Sequence, residues 1–316
     1  MSFKFDKVLV TGGAGFIGSH TVDLLLTQGV KVWVLDNLSS GSLRNLRSWK
    51  GNRAFHFKKN TVTRYKVVES LSRKVEAVLH LAAIVSPYVS VKRPEIANET
   101  NVSGTLNVLR AAEKNGIQRV AFASSSSVYG NQSSLPISED NPIHPVTPYG
   151  ASKVAGEKYC EAYFQTYGLS TVSLRYFNVY GVRQSANPYS GVIAIFANRI
   201  SRGVCTSIYG DGEQTRDFVH VSDVANANLQ ALQLNNTSAD VFNIGTGQPT
   251  TINQLFSFLA KMLGKPDISP VHAKDRPGDI RDSFANITRA SSILGFKPKV
   301  ELERGLVQLI ESIENK

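Results

Sequence analysis

Tyr149 and Lys153 stand four residues apart in YGASK, at the start of an amphipathic segment that predicts a helix over Tyr149 to Tyr167. Side chains at this spacing share one face of a helix. A phenol is a poor base at neutral pH, but a nearby cation favours the phenolate. The pair is therefore a candidate for proton transfer, and an exposed aromatic beside a solvated lysine is the alternative.

Four consecutive hydroxyl side chains, Ser124 to Ser127, follow the apolar run Arg119 to Ala123 in ASSSSVYG. Serines after a strand commonly form a turn, because short hydroxyl side chains hydrogen-bond to nearby backbone groups. Spacing alone does not separate such a turn from a catalytic serine.

A glycine-rich turn, GGAGFIG from Gly12, follows the predicted strand Lys7 to Thr11 and precedes the predicted helix Phe16 to Gln28. Glycines let the backbone turn sharply and approach a pyrophosphate at the N-terminus of a helix. The next strand, Val30 to Asp36, ends in a carboxylate that can accept hydrogen bonds from a ribose diol and would repel a 2′-phosphate. We therefore predict an NAD site rather than an NADP site.

The elements that must position these residues alternate between apolar runs and helical patterns. The predicted strands, besides the two above, are Ala54 to Phe57, Ala77 to Leu81, Val120 to Ala123 and Thr171 to Arg175, and a further helix is Asn101 to Asn115. This alternation predicts an α/β fold with a Rossmann-type, doubly wound parallel sheet covered on both faces.

The alternation breaks after Arg175 into Gly-, Asn- and Pro-rich segments. Later patterns predict a strand, Val241 to Ile244, and three helices, Val221 to Leu234, Thr251 to Leu263 and Leu302 to Ile313. We expect an NAD-binding domain over 1–176, to which 219–246 returns. Residues 177–218 and 247–316 form a smaller, partly interleaved C-terminal α/β substrate lobe in this prediction.

Composition indicates an ordinary globular protein of 316 residues with 42% hydrophobic content. No membrane span or signal peptide is evident, so we expect a cytoplasmic protein. The two cysteines, Cys160 and Cys205, show no metal-ligand spacing, and we expect no metal. Although the net charge is +10, the cations are scattered along the chain, so we expect neither nucleic acid nor a membrane as a partner.

The sequence resembles the extended short-chain dehydrogenase/reductase family over nearly its whole length. The motifs that carry the resemblance are TGGAGFIGSH, DNLSSG, HLAA, SSSSVYG, YGASK, RYFNVYG, YGDGEQTRDFVHVSDV, FNIGTG and RPGD. The last four are similar to the nucleotide-sugar branch of the family. The resemblance implies a catalytic Ser125 beside Tyr149 and Lys153, an NAD cofactor, a UDP-sugar substrate and a homodimer formed through the helices Asn101 to Asn115 and Tyr149 to Tyr167.

The family motifs also imply two sets of binding residues. Those expected at NAD are Gly12, Gly15, Phe16, Ile17, Asp36, Asn37, Ser40, Gly41, Val62, Leu81, Ala82, Ala83, Asn101, Tyr149 and Lys153. Those expected at the nucleotide sugar are Ser86, Ser125, Ser126, Ser127, Asn178, Arg183, Val192, Tyr209, Arg216, Arg276, Asp279 and Ser283. Arg216 and Arg276 would bind the diphosphate, because guanidinium donors suit phosphate oxygens.

The reaction implied is 4-epimerisation through a transient 4-keto sugar. Related dehydratases carry Asp-Glu after the catalytic hydroxyl residue, and related decarboxylases carry Glu before VYG, whereas this chain has Ser126 and Ser127. A small residue at Ser283, where some relatives carry a large aromatic, implies that UDP-GlcNAc and UDP-GalNAc are accepted alongside UDP-Glc and UDP-Gal. Arg183 leaves UDP-glucuronate 4-epimerisation open, since a guanidinium can bind a carboxylate.

The sequence departs from the family pattern at one cofactor position, and a function other than catalysis is also possible for this fold. Thr61 stands where the family commonly carries an Asp that contacts adenine, which puts NAD affinity in doubt. A non-catalytic dinucleotide-binding regulator is the alternative from a different class, because fold does not imply function. Such proteins typically lack the Tyr or the Lys that this chain retains.

Overall fold

The computed structural model describes residues 3–184, 191–235, 237–274 and 280–314. The strands are β1 Lys7–Thr11, β2 Lys31–Asp36, β3 Phe55–Lys59, β4 Ala77–His80, β5 Arg119–Ser125, β6 Thr171–Tyr176, β7 Asn178–Tyr180, β8 Ser207–Tyr209, β9 Thr215–His220, β10 Ala239–Ile244, β11 Pro249–Thr251, β12 Val271–Ala273 and β13 Asp282–Ser283. The α-helices are α1 Phe16–Thr27, α2 Tyr65–Ser72, α3 Pro87–Lys92, α4 Pro94–Asn98, α5 Gly104–Lys114, α6 Pro148–Tyr167, α7 Val192–Ser201, α8 Val221–Gln233, α9 Ile252–Met262 and α10 Leu302–Glu314.

Seven strands form one parallel sheet in the order β10-β6-β5-β4-β1-β2-β3. The order reverses between β1 and β4, and ligands of such sheets bind at the crevice beyond the strand ends at this reversal. The α/β, doubly wound prediction is confirmed.

Both faces of this sheet are covered. One apolar core includes residues of α1 and α8, such as Val22 and Leu232, and the opposite core includes residues of α2 and α5, such as Val68 and Leu109. Burial on both faces explains why the central strands are continuous apolar runs rather than alternating ones. Each helix in the described ranges is too short or too polar to cross a bilayer.

The second group of elements surrounds β9, which pairs with β7 and β13 in parallel and with β11 antiparallel. Its core brings together apolar side chains of α7, α9 and α10, including Phe196, Phe256 and Leu309. Between these elements the chain returns to the large sheet through α8 and β10. The expectation of irregular structure after Arg175 was wrong at Val192–Ser201, which is helical because Ile193, Phe196 and Ile200 lie along one buried face.

A chain of buried hydrogen bonds joins the ends of β1 and β4. The amide of Ala82 donates to Thr11 Oγ1 (3.2 Å), which donates to His80 Nδ1 (2.7 Å). The other ring nitrogen, Nε2, is 3.0 Å from Thr105 Oγ1, and that hydroxyl donates to the Asn101 carbonyl oxygen. Because the Thr105 hydroxyl donates to Asn101, Nε2 of His80 carries a proton, and because burial lowers the pKa of the ring to about 3, the ring is neutral and Nδ1 accepts from Thr11. The chain fixes the loop that follows β4.

A second buried network holds α6 against the sheet. The guanidinium of Arg175 on β6 binds both carboxylate oxygens of Glu157 on α6 (2.9 and 2.8 Å). Ser124 on β5 donates to the same carboxylate, and the Arg175 Nη1 group donates to the Tyr129 hydroxyl (2.8 Å), which donates to Asn243 on β10 (2.6 Å). Three neighbouring strands and α6 are thereby tied together by charged and neutral hydrogen bonds.

We expect the His80 ring to make folding sensitive to acid. Burial, and secondarily the charge of Lys153, lowers its pKa to about 3, whereas the unfolded chain takes up this proton near pH 6.5. The unfolded state therefore binds more protons below pH 6.5, and the free energy of unfolding should fall by about 1.4 kcal/mol per pH unit from this residue. Urea unfolding of wild type and His80→Gln across pH 7 to 4.5 measures the difference in slope, and parallel curves would contradict it.

Replacing one partner of the buried ion pair should lower the free energy of unfolding more than the loss of the pair itself accounts for, because the other charge stays buried. Arg175→Met leaves the Glu157 carboxylate buried without a cation, which should lower the free energy of unfolding by about 3–5 kcal/mol. Adding Glu157→Leu removes the uncompensated charge, so the double variant should be less destabilised than the sum of the two single variants. Chemical denaturation of all four proteins measures the coupling, and strict additivity would rule out an interaction of this kind.

Candidate active site

Tyr149 and Lys153 lie in the first two turns of α6, as the sequence predicts. Thr147 caps this helix by accepting a hydrogen bond from the Gly150 amide (3.1 Å), and Pro148 occupies the first helical position. The amide of Tyr149 donates to the buried Ser90 hydroxyl (3.0 Å). The phenol is therefore held by a helix whose start is fixed on two sides.

Lys153 is buried, and its ammonium donates to the Ala123 carbonyl oxygen near the end of β5 (2.7 Å). Burial lowers the pKa of this lysine to about 8, against the opposing effect of Glu157 one turn further along α6. The ammonium also lies 5.9 Å from the centre of the Tyr149 ring. Lys153 is thus a positioned cation next to the phenol.

Ser125 is the serine that contacts the phenol. Burial raises the pKa of Tyr149 to about 12, and a hydrogen bond with Ser125 opposes this rise. The Oγ of Ser125 already accepts from the amide (3.2 Å) and the hydroxyl (3.0 Å) of Ser127. Ser125 thus lies next to both the phenol and Ser127.

The other serines of ASSSSVYG have separate places. Ser124 is buried near the end of β5 and donates a hydrogen bond to Glu157. Ser126 and Ser127 are partly exposed and open a short 3₁₀ turn, Ser126–Val128. Both the turn interpretation and the catalytic one therefore apply to this segment, at different residues.

The glycine turn is packed so closely that side chains at two of its positions would collide with the backbone. At Gly12, where φ is +71°, a Cβ atom would lie 2.8 Å from the Ala82 amide nitrogen, and at Gly18 it would lie 2.2 Å from the Gly12 carbonyl oxygen. Gly15 precedes α1 without a side-chain cap, so the first amides of the helix, including Phe16 and Ile17, are available to an anion. Backbone donors and close approach are what a pyrophosphate requires.

Asp36 lies at the end of β2 beside this turn and is 7% exposed. One carboxylate oxygen accepts from the Ala14 amide (2.9 Å) and the other from the Leu38 amide (2.7 Å). Each oxygen keeps lone pairs that can accept from a diol. Together with the glycine cradle, this arrangement fits the pyrophosphate and ribose of NAD.

An open cavity of about 570 Å³ adjoins Asp36. Its lining residues are polar and include two cations: Asn37, Lys59, Asn60, Thr61, Thr63, Arg64, Glu99 and Thr100. Thr61 faces it with a hydroxyl 3.2 Å from that of Thr63, while Val62 is buried and its carbonyl oxygen accepts from the Asn107 amide group (3.0 Å). Ser40 is exposed, and the Cα of Gly41 lies close against the Ala14 backbone.

Asn101 supports the loop after β4 instead of presenting a free side chain. Its amide group exchanges hydrogen bonds with the backbone of Ile84 (2.8 and 3.0 Å) and donates to Ser152 on α6 (2.9 Å). The loop that it holds carries Leu81, Ala82 and Ala83, which are partly exposed. Sequence reasoning placed Asn101 in the right region but did not foresee this anchoring role.

The residues expected at the nucleotide sugar come from several elements. Ser86 caps α3, Asn178 starts β7, Val192 starts α7, Tyr209 ends β8 with its ring exposed, Arg216 lies on β9 and Ser283 on β13. Ser283 is buried and is the register partner of Arg216. Arg276 and Asp279 lie outside the described residues.

Arg183 follows β7 in a left-handed conformation (φ +71°). Its Nη2 group forms an ion pair with Asp23 on α1 (2.8 Å), and Asp23 also accepts from the Trp49 indole (2.6 Å). The guanidinium expected to meet a substrate carboxylate is therefore engaged by a carboxylate of the protein. Its Nη1 atom is buried and has no hydrogen-bond partner among the described residues.

Sequence reasoning missed the residues that hold the site in place. Glu157 lies four residues after Lys153, as Lys153 lies four residues after Tyr149. This spacing places all three on one face of α6 and is the signal by which Glu157 could have been found. His80 and Arg175 lay within the motifs HLAA and RYFNVYG, in which roles were expected only of other residues. Within the described ranges, no group of three or more His, Cys, Asp or Glu residues is placed to hold a metal ion.

Known proteins resemble this chain over nearly its full length. UDP-glucose 4-epimerase from Thermotoga maritima, solved with UDP-glucose, is 42% identical, covers 98% of this chain and 99% of its own, and superposes with a TM-score of 0.92. UDP-N-acetylglucosamine 4-epimerase from Methanobrevibacter ruminantium, solved with UDP-N-acetylmuramic acid, is 38% identical with 98% coverage of both chains and a TM-score of 0.93. UDP-glucuronic acid decarboxylase 1 from Xenopus tropicalis is 36% identical and covers 96% of this chain and 71% of its own.

Residues 8–245 match the profile of the NAD dependent epimerase/dehydratase family. The match spans the glycine turn, Asp36, Ser125, Tyr149 and Lys153, which are the residues that the structure brings to the strand ends. This protein belongs to the NAD dependent epimerase/dehydratase family.

Proposed function

We propose that the protein is an NAD-dependent UDP-sugar 4-epimerase that interconverts UDP-GlcNAc with UDP-GalNAc and UDP-Glc with UDP-Gal through a transient 4-keto sugar. The observation that carries the proposal is the placement of the Tyr149 phenol next to Ser125 and the buried Lys153 ammonium, near the end of β5 in the same parallel sheet as the glycine turn that follows β1. The similarity to solved UDP-sugar 4-epimerases supports it.

The chain supplies the proton transfers of this reaction. NAD, when bound, provides a reversible hydride acceptor next to the sugar C4 carbon. Tyr149 removes the proton of the C4 hydroxyl group and later returns it to the same oxygen. Ser125 binds that oxygen and the phenol together, and Lys153 stabilises the phenolate by its charge. The cofactor would be held by the glycine turn, the N-terminus of α1 and Asp36.

Related dehydratases and decarboxylases carry carboxyl groups in the loop after β5, where this chain has hydroxyl groups. Ser126 and Ser127 occupy the positions after Ser125. Glu157, the carboxylate nearest to these serines along the network, is buried in its pair with Arg175 and accepts from Ser124. It is not available as an acid or base for the sugar. Simple oxidation and reduction at one carbon is the chemistry that remains.

The nucleotide end of the substrate would be held by Arg216, whose Nη1 group donates to the backbone carbonyl oxygens of Thr215 (2.7 Å) and Arg281 (3.3 Å). Guanidinium donors suit phosphate oxygens, which supports this assignment. We propose that Arg276 and Asp279 bind the same end of the substrate. The residues that would border the nucleotide are Asn178, Val192 and Tyr209. Ser283, beside Arg216, would leave space for an acetamido group.

UDP-glucuronate 4-epimerisation is the second candidate. Arg183 favours it through the buried Nη1 atom, which a substrate carboxylate would satisfy. The ion pair with Asp23 opposes it, because the charge of the guanidinium is already compensated. We therefore favour the UDP-Glc/UDP-Gal and UDP-GlcNAc/UDP-GalNAc pairs over UDP-glucuronate as substrates. A non-catalytic regulator would need neither the buried lysine nor its phenol partner.

The homodimer and the cytoplasmic location stay predictions. Support for a dimer comes from α5 and α6, which pack side by side, with Tyr159 and Tyr167 of α6 exposed on the outer surface. Two such helix pairs would form a symmetric four-helix contact. The division into an NAD-binding domain and a substrate lobe is likewise proposed from the return of α8 and β10 to the large sheet.

Replacing the phenol should remove catalysis and leave the cofactor site intact. We expect Tyr149→Phe to lower turnover of UDP-GlcNAc, UDP-Glc and UDP-GlcA, each followed by proton NMR of the C4 epimers, by about 10²–10⁴-fold. NAD binding, measured in parallel by calorimetry, should change little. No turnover of any substrate by wild-type protein with added NAD would favour another nucleotide sugar or the regulator.

Enlarging Ser283 should separate the two substrate pairs. A tyrosine at this buried position would occupy the space proposed for the acetamido group, so Ser283→Tyr should lower kcat/KM for UDP-GlcNAc relative to UDP-Glc by about 10²-fold. Ser283→Ala keeps the space and should leave the ratio near that of wild type. Equal losses on both substrates in Ser283→Tyr would show that the residue is not a size gate.

A further inference from the structure

Nearly all of the net positive charge belongs to one part of the chain. Residues 31–74 contain eleven Lys or Arg residues and two acidic residues, a net charge of +9 where the whole chain carries +10. The eleven cations are exposed: Lys31, Arg44, Arg47, Lys50, Arg53, Lys58, Lys59, Arg64, Lys66, Arg73 and Lys74. The cations that look scattered in the sequence therefore form one surface, which we call the basic edge.

The two acidic residues do little to neutralise the basic edge. Asp36 is buried and faces the glycine turn. Glu69 is shared between Arg73 and Lys114 of α5 (2.8 Å each). Arg73 is the one cation of the eleven that forms an ion pair with another described residue. The charged groups of the other ten are exposed to solvent.

The basic edge begins at the cofactor site. A 3₁₀-helix, Leu43–Trp49, follows the glycine-rich DNLSSG loop, and the Ser42 amide and Asn45 side chain both donate to the Ala14 carbonyl oxygen (3.0 and 2.9 Å). With three residues per turn, Arg44 and Arg47 lie on one side of this helix, opposite the buried Leu46. Lys50 and Arg53 continue the same spacing beyond its end.

The other end of the basic edge opens into the cavity beside Asp36. Lys59 is the register partner of Asp36 on the outermost strand, β3, and lines this cavity together with Arg64. Two cations of the basic edge thus lie at the cavity in which the adenosine half of a dinucleotide would bind. A field of one sign around such a cleft raises the local concentration of ligands of opposite charge.

The composition of the basic edge favours a small ligand over a membrane. Its cations are distributed over the 3₁₀-helix, β3 and α2. Leu43 is the one large hydrophobic residue of the segment that is strongly exposed in the described structure, which provides little for insertion. The ligand that the adjoining cavity already implies is a dinucleotide.

We propose that the basic edge is an electrostatic approach surface that captures the anionic dinucleotide and speeds its association with the site. The proposal concerns cofactor capture and is independent of the sugar that is turned over. NADH carries two negative charges and NAD one, so the acceleration is greater for NADH. Adenosine is uncharged and gains nothing.

The test removes four cations that do not line the cavity. Arg44, Arg47, Lys50 and Arg53 are replaced together by Gln, and the matched control replaces Lys261, Lys297, Lys299 and Arg304, which are exposed on the second lobe. Stopped-flow energy transfer from Trp33 and Trp49 to NADH gives the association and dissociation rate constants. Both tryptophans of the chain lie in this region.

At low ionic strength, the association rate constant of NADH should fall by about tenfold in the first variant and stay unchanged in the control. The dissociation rate constant should be the same in all three proteins, and salt should slow wild-type association with a steeper slope for NADH than for NAD. The affinity for adenosine, by calorimetry, should not change. Circular dichroism and urea unfolding establish that each variant is folded.

Three results would overturn the proposal. An unchanged association rate constant would show that the field does not guide the cofactor. A faster dissociation rate constant would indicate direct contacts instead of steering. Unchanged NADH kinetics together with loss of binding to a single-stranded oligonucleotide or to phosphatidylglycerol vesicles would assign the basic edge to a macromolecular anion.

Discussion

The rotation of α6 about its own axis is the constraint on which the active site depends. Tyr149, Lys153 and Glu157 follow one another at intervals of four residues and therefore share one face of that helix. Glu157 is bound at both carboxylate oxygens by Arg175 of β6. A turn of α6 that moved the phenol away from Ser125 would also break this buried pair, so the position of the proton-transfer group is fixed two turns away from it.

Position, more than stability, is what such a pair contributes. Removing two charges from water offsets most of their attraction, so a buried ion pair adds little net stability compared with apolar side chains of the same size. Its directional bonds nevertheless select one arrangement of β5, β6 and α6. Hydrogen bonds from Arg175 to Tyr129 and from Tyr129 to Asn243 also fix β10, which joins the sheet more than 60 residues after β6. The strands that carry the site are thereby held in one register.

The fold was predictable from the sequence because strands buried on both faces appear as apolar runs, and the glycine turn and Asp36 mark the first two strand ends. Long-range partners were not predictable. The pairing of Arg183 with Asp23 joins residues 160 positions apart, and no local pattern reports it. The helix Val192–Ser201 was missed because it follows Gly- and Pro-rich sequence, and its apolar face is explained only by the core that it enters. The basic edge was missed because the net charge was considered for the whole chain and its cations are not consecutive in the sequence, while the outer position of β3 is known only from the sheet order.

Burial sets the protonation states of the catalytic pair in opposite directions. The pKa of Tyr149 is raised to about 12 and that of Lys153 is lowered to about 8, so at neutral pH the pair consists of a phenol and an ammonium. Burial outweighs the hydrogen bond with Ser125, so the phenol by itself keeps its proton at neutral pH. An oxidised nicotinamide carries a positive charge and a reduced nicotinamide does not. In the proposed epimerisation, NAD bound beside Tyr149 would therefore make the phenol a better base for the sugar hydroxyl than NADH would.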